Sequence, residues 1–231
     1  MSDSPRKSRA RFEDPLKLIP RILVKLHSLW VSATYPFASK GRKLSIHYTC
    51  RLSRMIAHRI KLGNSVEIRK DVWLNTSYTT DANAEPALVI DDNCMIYARC
   101  HIAAHNHIHL ERDVGVSESV LIVDQNHAYN DITVPIAKQG VTEGGTIRIG
   151  QGCWIGQGAA IVCNQGELVL GRNSVVAANA LVTRSFPPYS VIAGNPARIV
   201  KQFDPSTGVW RLGGIRPTDN NPADADKHQT V

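Results

Sequence analysis

A period of six residues governs the C-terminal half of this chain. Branched aliphatic side chains fall at Ile149, Ile155 and Ile161 and, after a three-residue insertion around Gln165–Glu167, at Leu170, Val176 and Val182. Small or polar residues flank each of them. A helix repeats at about 3.6 residues and a half-buried strand at about 2, so neither carries this beat. A coil whose flat faces each take six residues does, with its aliphatic side chain turned into the shaft. The count predicts an all-β chain wound as a parallel β-helix.

The same beat runs through Leu110, Val116 and Ile122, and through Ile90, Ile96, Ile102 and Ile108. A weaker run, Leu44, Cys50, Ile56, Leu62, Ile68 and Leu74, points toward the N-terminus, but Arg51, Arg54, His58 and Arg59 crowd its first half, and only the part from Leu62 reads as coil. Two polar interruptions, 75–87 and 125–146, break the count. Loops that leave a solenoid have rigid roots, and such loops are where repeat proteins carry function.

The solenoid domain is therefore expected over 44–203. Residues 204–231, rich in Pro, Gly, Asp and Asn, read as a polar and partly disordered tail. Residues 1–43 form a basic extension in which Leu16, Ile19, Leu23, Leu26 and Trp30 are spaced for one helix face, with Pro15 and Pro20 near its start. Lys17, Arg21, Lys25 and His27 interrupt its apolar run. That excludes a membrane-spanning helix of about 20 apolar residues, and the uncharged core and cleavage site of a signal peptide are lacking.

Charge is unevenly shared. Residues 1–70 hold 16 Lys and Arg against 4 Asp and Glu, while the remainder holds 11 against 16, which together make the net +7. A basic N-terminal third is either a solvated face or an attraction to something anionic, such as a membrane surface or a phosphorylated substrate. No nucleic-acid-binding motif accompanies the charge, so no nucleic-acid partner is expected. Of the five Cys residues, Cys94, Cys100 and Cys153 each follow a ladder residue by four places, where small side chains pack inside the coil. No Cys-x-x-Cys pair occurs. These features fit a reduced, cytoplasmic protein, with peripheral contact at the inner membrane face as a further expectation.

Trp154-Ile155-Gly156, Gly158-Ala159, Leu170-Gly171, Ala177-Ala178, Val182-Thr183, Phe186-Pro187-Pro188-Tyr189 and Ala193-Gly194-Asn195-Pro196-Ala197-Arg198 together resemble the hexapeptide-repeat acyltransferases, whose fold is a left-handed parallel β-helix. Within that superfamily the chain is most similar to sugar O-acetyltransferases related to galactoside and maltose acetyltransferase, those of surface-polysaccharide synthesis in particular. The stretch Asp124-Gln125-Asn126-His127-Ala128-Tyr129, followed by Pro135-Ile136 and Gln139-Gly140, is similar to their active-site loop. The match covers roughly residues 90–201. It implies a homotrimer with acetyl-CoA bound between adjacent subunits, a saccharide acceptor and no metal.

An alcohol is a poor nucleophile at neutral pH, and a His with a pKa near ~6.5 can take its proton as the new bond forms. The resemblance gives that role to His127, five places after the ladder residue Ile122. Asp124 is placed either to orient the imidazole or to form a turn with its own backbone. Many relatives carry His where this chain has Gln125, a departure that bears on the acceptor more than on the reaction; Gln125, Asn126 and Tyr129 are its candidate contacts. For the donor, a backbone N–H of Gly156 or Gln157 is the candidate oxyanion contact. Trp154, Ala159, Ala178 and Thr183 match groove-lining positions, and Arg198 and Lys201 are candidate phosphate contacts. Solvated charge is the plain alternative for those two cations.

His101, His105, His107 and His109 suggest three readings: acceptor contacts, an exposed face, or a zinc site. Only the zinc reading leads toward a carbonic-anhydrase-like β-helix, and the ligand spacing of those enzymes is not reproduced. The remaining alternatives are N-acetylation of a nucleotide-linked amino sugar, with the same base and donor site, and a silent scaffold.

Overall fold

The structure, a computed structural model, describes residues 18–81 and 84–213. Strands stack into three faces of a prism, six in the first, nine in the second and six in the third, all paired in parallel except the last two of the second face. One coil runs Leu88–Ile90, Met95–Ile96, His101–Ala104, and the next His107–Leu110, Gly115–Val116, Leu121–Val123. Successive coils pair in register, so that Ile90, Leu110, Ile149 and Leu170 form one interior ladder, Ile96, Val116, Ile155 and Val176 a second, and Ile102, Ile122, Ile161 and Val182 a third. All are buried. The predicted parallel β-helix is the observed architecture.

Corners explain the six. Three places before a ladder residue the backbone turns left-handed, at Ser65, Asn93, Asp113, Gly152 and Asn173 on one edge and at Asp71, Arg99, Ser119, Gly158 and Asn179 on another. Only small, polar or flexible residues hold positive φ cheaply, which is why Asn and Gly recur there. Two places before the ladder the side chain points inward, and Cys94, Cys100 and Cys153 fill it as buried free thiols.

The count slips in the first coil. Ile46 and Leu52 take the ladder positions, pairing with Ile68 and Leu74, while Leu44 and Cys50 sit two places earlier, half-buried against the core. A 3-10 segment, Arg54–Arg59, then lengthens the connection before Ile60–Leu62. At the other end Arg198–Asp204 and Val209–Leu212 form an antiparallel hairpin on the second face. The stretch after Asp204, read from composition as tail, thus adds a strand; residues 214–231 lie outside the described residues. So do Pro15, Leu16 and Lys17 of the expected helix, which is observed over Leu18–Thr34.

Candidate active site

Among the described residues the long connections leave the prism at one edge, between the third face and the first. There lie the 3-10 segment, residues 77–81 and 84–87, and residues 124–143, with a tight two-residue corner at His105–Asn106 between the two longer loops. A small cleft of about 90 Å³ opens at that corner, lined by Asn75, Ser77, His105 and Gln125 among others. Ser77 Oγ donates to the His105 carbonyl (2.9 Å). Gln125 Oε1 is buried and has no hydrogen-bond partner. A buried acceptor without a donor is costly unless something supplies one.

Asp124 does not orient His127. It is fully buried, and its carboxylate accepts from the backbone N–H groups of His105 (2.7 Å), Asn106 (2.9 Å) and His107 (2.9 Å). Burial pushes its pKa up, against the pull of those three donors. The carboxylate ties the loop's root to the tight corner one coil earlier. Sequence gives no sign of this, because all three partners are backbone groups.

His127 stands in the exposed part of the loop. Its backbone N–H donates to Asn126 Oδ1 (2.9 Å), and it forms a β-bridge with Val141. Thr142 N–H donates to the Asn126 carbonyl (2.8 Å) and Ala128 N–H to that of Gly140 (3.1 Å). Farther out, Gln139 Nε2 donates to the carbonyls of Asp131 and Val134, each at 2.7 Å. The loop is therefore a braced arm, with no hydrogen bond to the His127 imidazole among the described residues. Tyr129 is exposed on the same arm.

The expected donor residues divide. Trp154 faces outward from the second face, its ring laid over Gly115, where a Cβ would meet Trp154 Cε3 at 2.6 Å. Register continues the row from Met95 through Gly115, Trp154, Val175 and Val191 to Lys201. A bulge at Val191/Ile192 places Arg198 opposite Ala193 and Lys201 opposite Val191, so both cations share that outward side although they are three apart in a strand. The row is an apolar track ending in cations. Gly115 and Tyr97, which meets Trp154 edge-on at 6.1 Å, escaped the sequence reading because only coil register brings them to Trp154.

Two donor expectations fail. Ala159 is fully buried, since it lies two places before Ile161 and points into the shaft. Gly156 N–H donates to the Val176 carbonyl at 2.8 Å and is spent on coil stacking. Gln157 and Ala178 remain exposed at the edge between the second and third faces, while Thr183 is exposed where the last third-face strand ends, at the same edge as Asp124 and two coils on. The third face therefore separates Trp154, Gln157 and Ala178, but not Thr183, from the His127 arm within one chain.

The His cluster is dispersed. His101 stacks on Trp73 at 4.1 Å on the third face, and burial lowers its pKa. His105 is at the corner; His107 and His109 lie on the first face, bonded to the Pro86 carbonyl (3.1 Å) and Asp91 Oδ2 (2.8 Å). No group of three or more His, Cys, Asp or Glu placed to hold a metal occurs among the described residues. In a larger groove of about 460 Å³ on the first face, His109 is bonded to Asp91 and Glu111 is paired with Arg148.

No family model matches the chain. Over 167 residues it is 26% identical to WbbJ of Escherichia coli (strain K12), named as a lipopolysaccharide biosynthesis O-acetyl transferase, covering 70% of this chain and 83% of that one. It is 34% identical over 167 residues to Rv3034c of Mycobacterium tuberculosis, named as an acetyltransferase; that match takes in 70% of this chain but only 48% of the relative, about half its length. Among solved structures, AntD, an N-acyltransferase from Bacillus cereus crystallised with dTDP and coenzyme A, shares the fold with TM-score 0.61 and 17% identity over 78% of this chain and 90% of its own. Another AntD structure, with dTDP-4-amino-4,6-dideoxyglucose and coenzyme A, gives 0.63 and 18%, covering 78% and 91%.

Proposed function

We propose that this chain is a hexapeptide-repeat acyltransferase that transfers an acetyl group from acetyl-CoA to a hydroxyl of a saccharide, a surface-polysaccharide or lipid-linked sugar, a reading supported by its likeness to WbbJ and Rv3034c and by the fold it shares with AntD. The observation that carries this reading is the His127 arm: an imidazole on a braced loop at the one edge where the coil opens. In the reaction, His127 takes the proton of the acceptor hydroxyl while its oxygen bonds to the thioester carbonyl carbon. The tetrahedral adduct collapses, the C–S bond breaks, and the imidazolium returns its proton to the departing thiolate. The products are an acetyl ester and free coenzyme A. With Gly156 N–H engaged, the Gln157 N–H is the remaining candidate for the oxyanion. The track from Trp154 to Lys201 suits the pantetheine arm and phosphates.

The separation of arm and donor row supports a site shared between copies in a homotrimer, with His127 of one chain meeting the donor edge of the next. N-acylation of an amino sugar is the second reading. The AntD likeness motivates it, and base and donor site would be unchanged.

Labelled acetyl-CoA offered with hydroxyl sugars and nucleotide-linked amino sugars separates the two. A product label released by mild alkali is an ester and supports O-transfer; an alkali-stable label is an amide and supports N-transfer. Transfer to neither class, with no coenzyme A bound, would sink both.

A further inference from the structure

The helix Leu18–Thr34 covers the open end of the solenoid. In the first strand of the second face, Ser45 and His47 donate their N–H groups to Val66 and Ile68 of the next coil, which leaves Ile46 facing the unpaired edge. The helix satisfies it. Ser28 Oγ accepts from Ile46 N–H (2.8 Å), and His27 Nδ1 meets the Ile46 carbonyl (3.0 Å). Covering an exposed β-edge is a general defence against stray pairing. Ser28 and Val31 are the residues it buries.

The opposite side of the helix is apolar and bare. At about 100° per residue, Leu18, Ile19, Ile22, Leu23, Leu26, Leu29 and Trp30 fall on the side turned away from Ser28 and Val31, and all are exposed. Leu23, Leu26, Trp30 and Tyr48 bound an apolar groove of about 440 Å³. Because the buried side caps the edge, the bare side points outward past the end of the coils. Copies set side by side would leave it uncovered.

Charge selects the occupant. Residues 18–66 hold nine Lys and Arg and no Asp or Glu. A second copy stacked end to end would bring two such ends together against like-charge repulsion. An anionic lipid surface accepts the apolar side chains into its headgroup boundary and attracts the cations around them. No helix among the described residues is long and apolar enough to cross a membrane. We propose that the solenoid's N-terminal end, through the outer side of the helix Leu18–Thr34 and the cations around it, docks on an anionic bilayer surface. In a trimer of parallel coils all three helices would face the same way and bind together.

The test is cosedimentation of the full chain with vesicles of phosphatidylcholine alone or with about a third phosphatidylglycerol, at low and high salt. Binding to the anionic vesicles only, weakened by salt, is expected. The bound fraction should fall about tenfold in Ile22→Glu/Leu26→Glu, with circular dichroism and molecular size unchanged. Lys25→Glu/Arg42→Glu, which leaves the apolar side intact, should weaken binding too and decides the matter if the first variant misfolds. Absence of wild-type binding at low salt overturns the proposal, as does equal binding by the charge-reversed variant. So does a change in oligomeric size in the first variant, which would make the helix an interface between copies. Acetyl transfer to a soluble acceptor, followed in the same preparations, is expected unchanged, so a failure of docking is distinguishable from a failure of the transferase reading.

Discussion

At single residues, burial and register decide chemistry. Burial raises the thiols of Cys94 to about 12 and of Cys100 and Cys153 to about 11. The thiolate is the reactive form, so these three should resist a thiol reagent at pH 8 in the folded protein and all react in denaturant. Rapid native labelling of them would contradict the interior placement. Trp154 belongs to the opposite case, a large aromatic held outside over Gly115. Trp154→Ala should raise KM for acetyl-CoA by about tenfold, the loss of roughly one aromatic contact, with kcat and stability little changed. An unchanged KM would remove Trp154 from the donor site. The inward place of Ala159 was within reach of the six-residue count, which already assigns Cys153 to the equivalent position; the hydrogen bond that occupies Gly156 was not, because it depends on how coils stack.

At the scale of elements, the carboxylate of Asp124 joins two connections that lie 17 to 19 residues apart in sequence. Asp124→Asn turns an amide N–H₂ toward backbone donors and leaves at least one unpaired. A cost of about 1–3 kcal/mol is expected, read as a Tm lower by roughly 2–4 °C for each kcal/mol. A residue that merely oriented the base would lower kcat at constant Tm, and that result would restore the orienting role, one of the two that the sequence left open. The ladder itself was legible because one aliphatic residue in six must be buried for a coil to stack. It blurred in the first coil, where Leu44 and Cys50 imitate the beat from two places earlier and Lys40 stands at the end of the strand that pairs with Ile60–Leu62. The strand Val209–Leu212 was hidden by the turn-forming composition around it.

For the whole molecule, the prism puts the His127 arm and the Trp154–Lys201 row at different places around its girth, with the third face between them. If adjacent copies complete each site, refolding an equal mixture of His127→Ala and Trp154→Ala chains should return about a quarter of the sites with the wild-type KM for acetyl-CoA, since random assembly pairs an intact arm with an intact row that often. A site contained in one chain would return only sites with the raised KM. The break in the repeat marks the loop that carries His127, and the family resemblance points to Trp154, Arg198 and Lys201, but neither carries information about which edges of a prism face one another.

The central claim, that His127 is the base of acetyl transfer, is tested most directly by the rate of coenzyme A thiol release from acetyl-CoA with a turned-over acceptor in wild type and His127→Ala. A fall in kcat of about 10²–10⁴, with acetyl-CoA binding retained, is predicted for loss of a general base. A variant that keeps wild-type kcat would contradict the account.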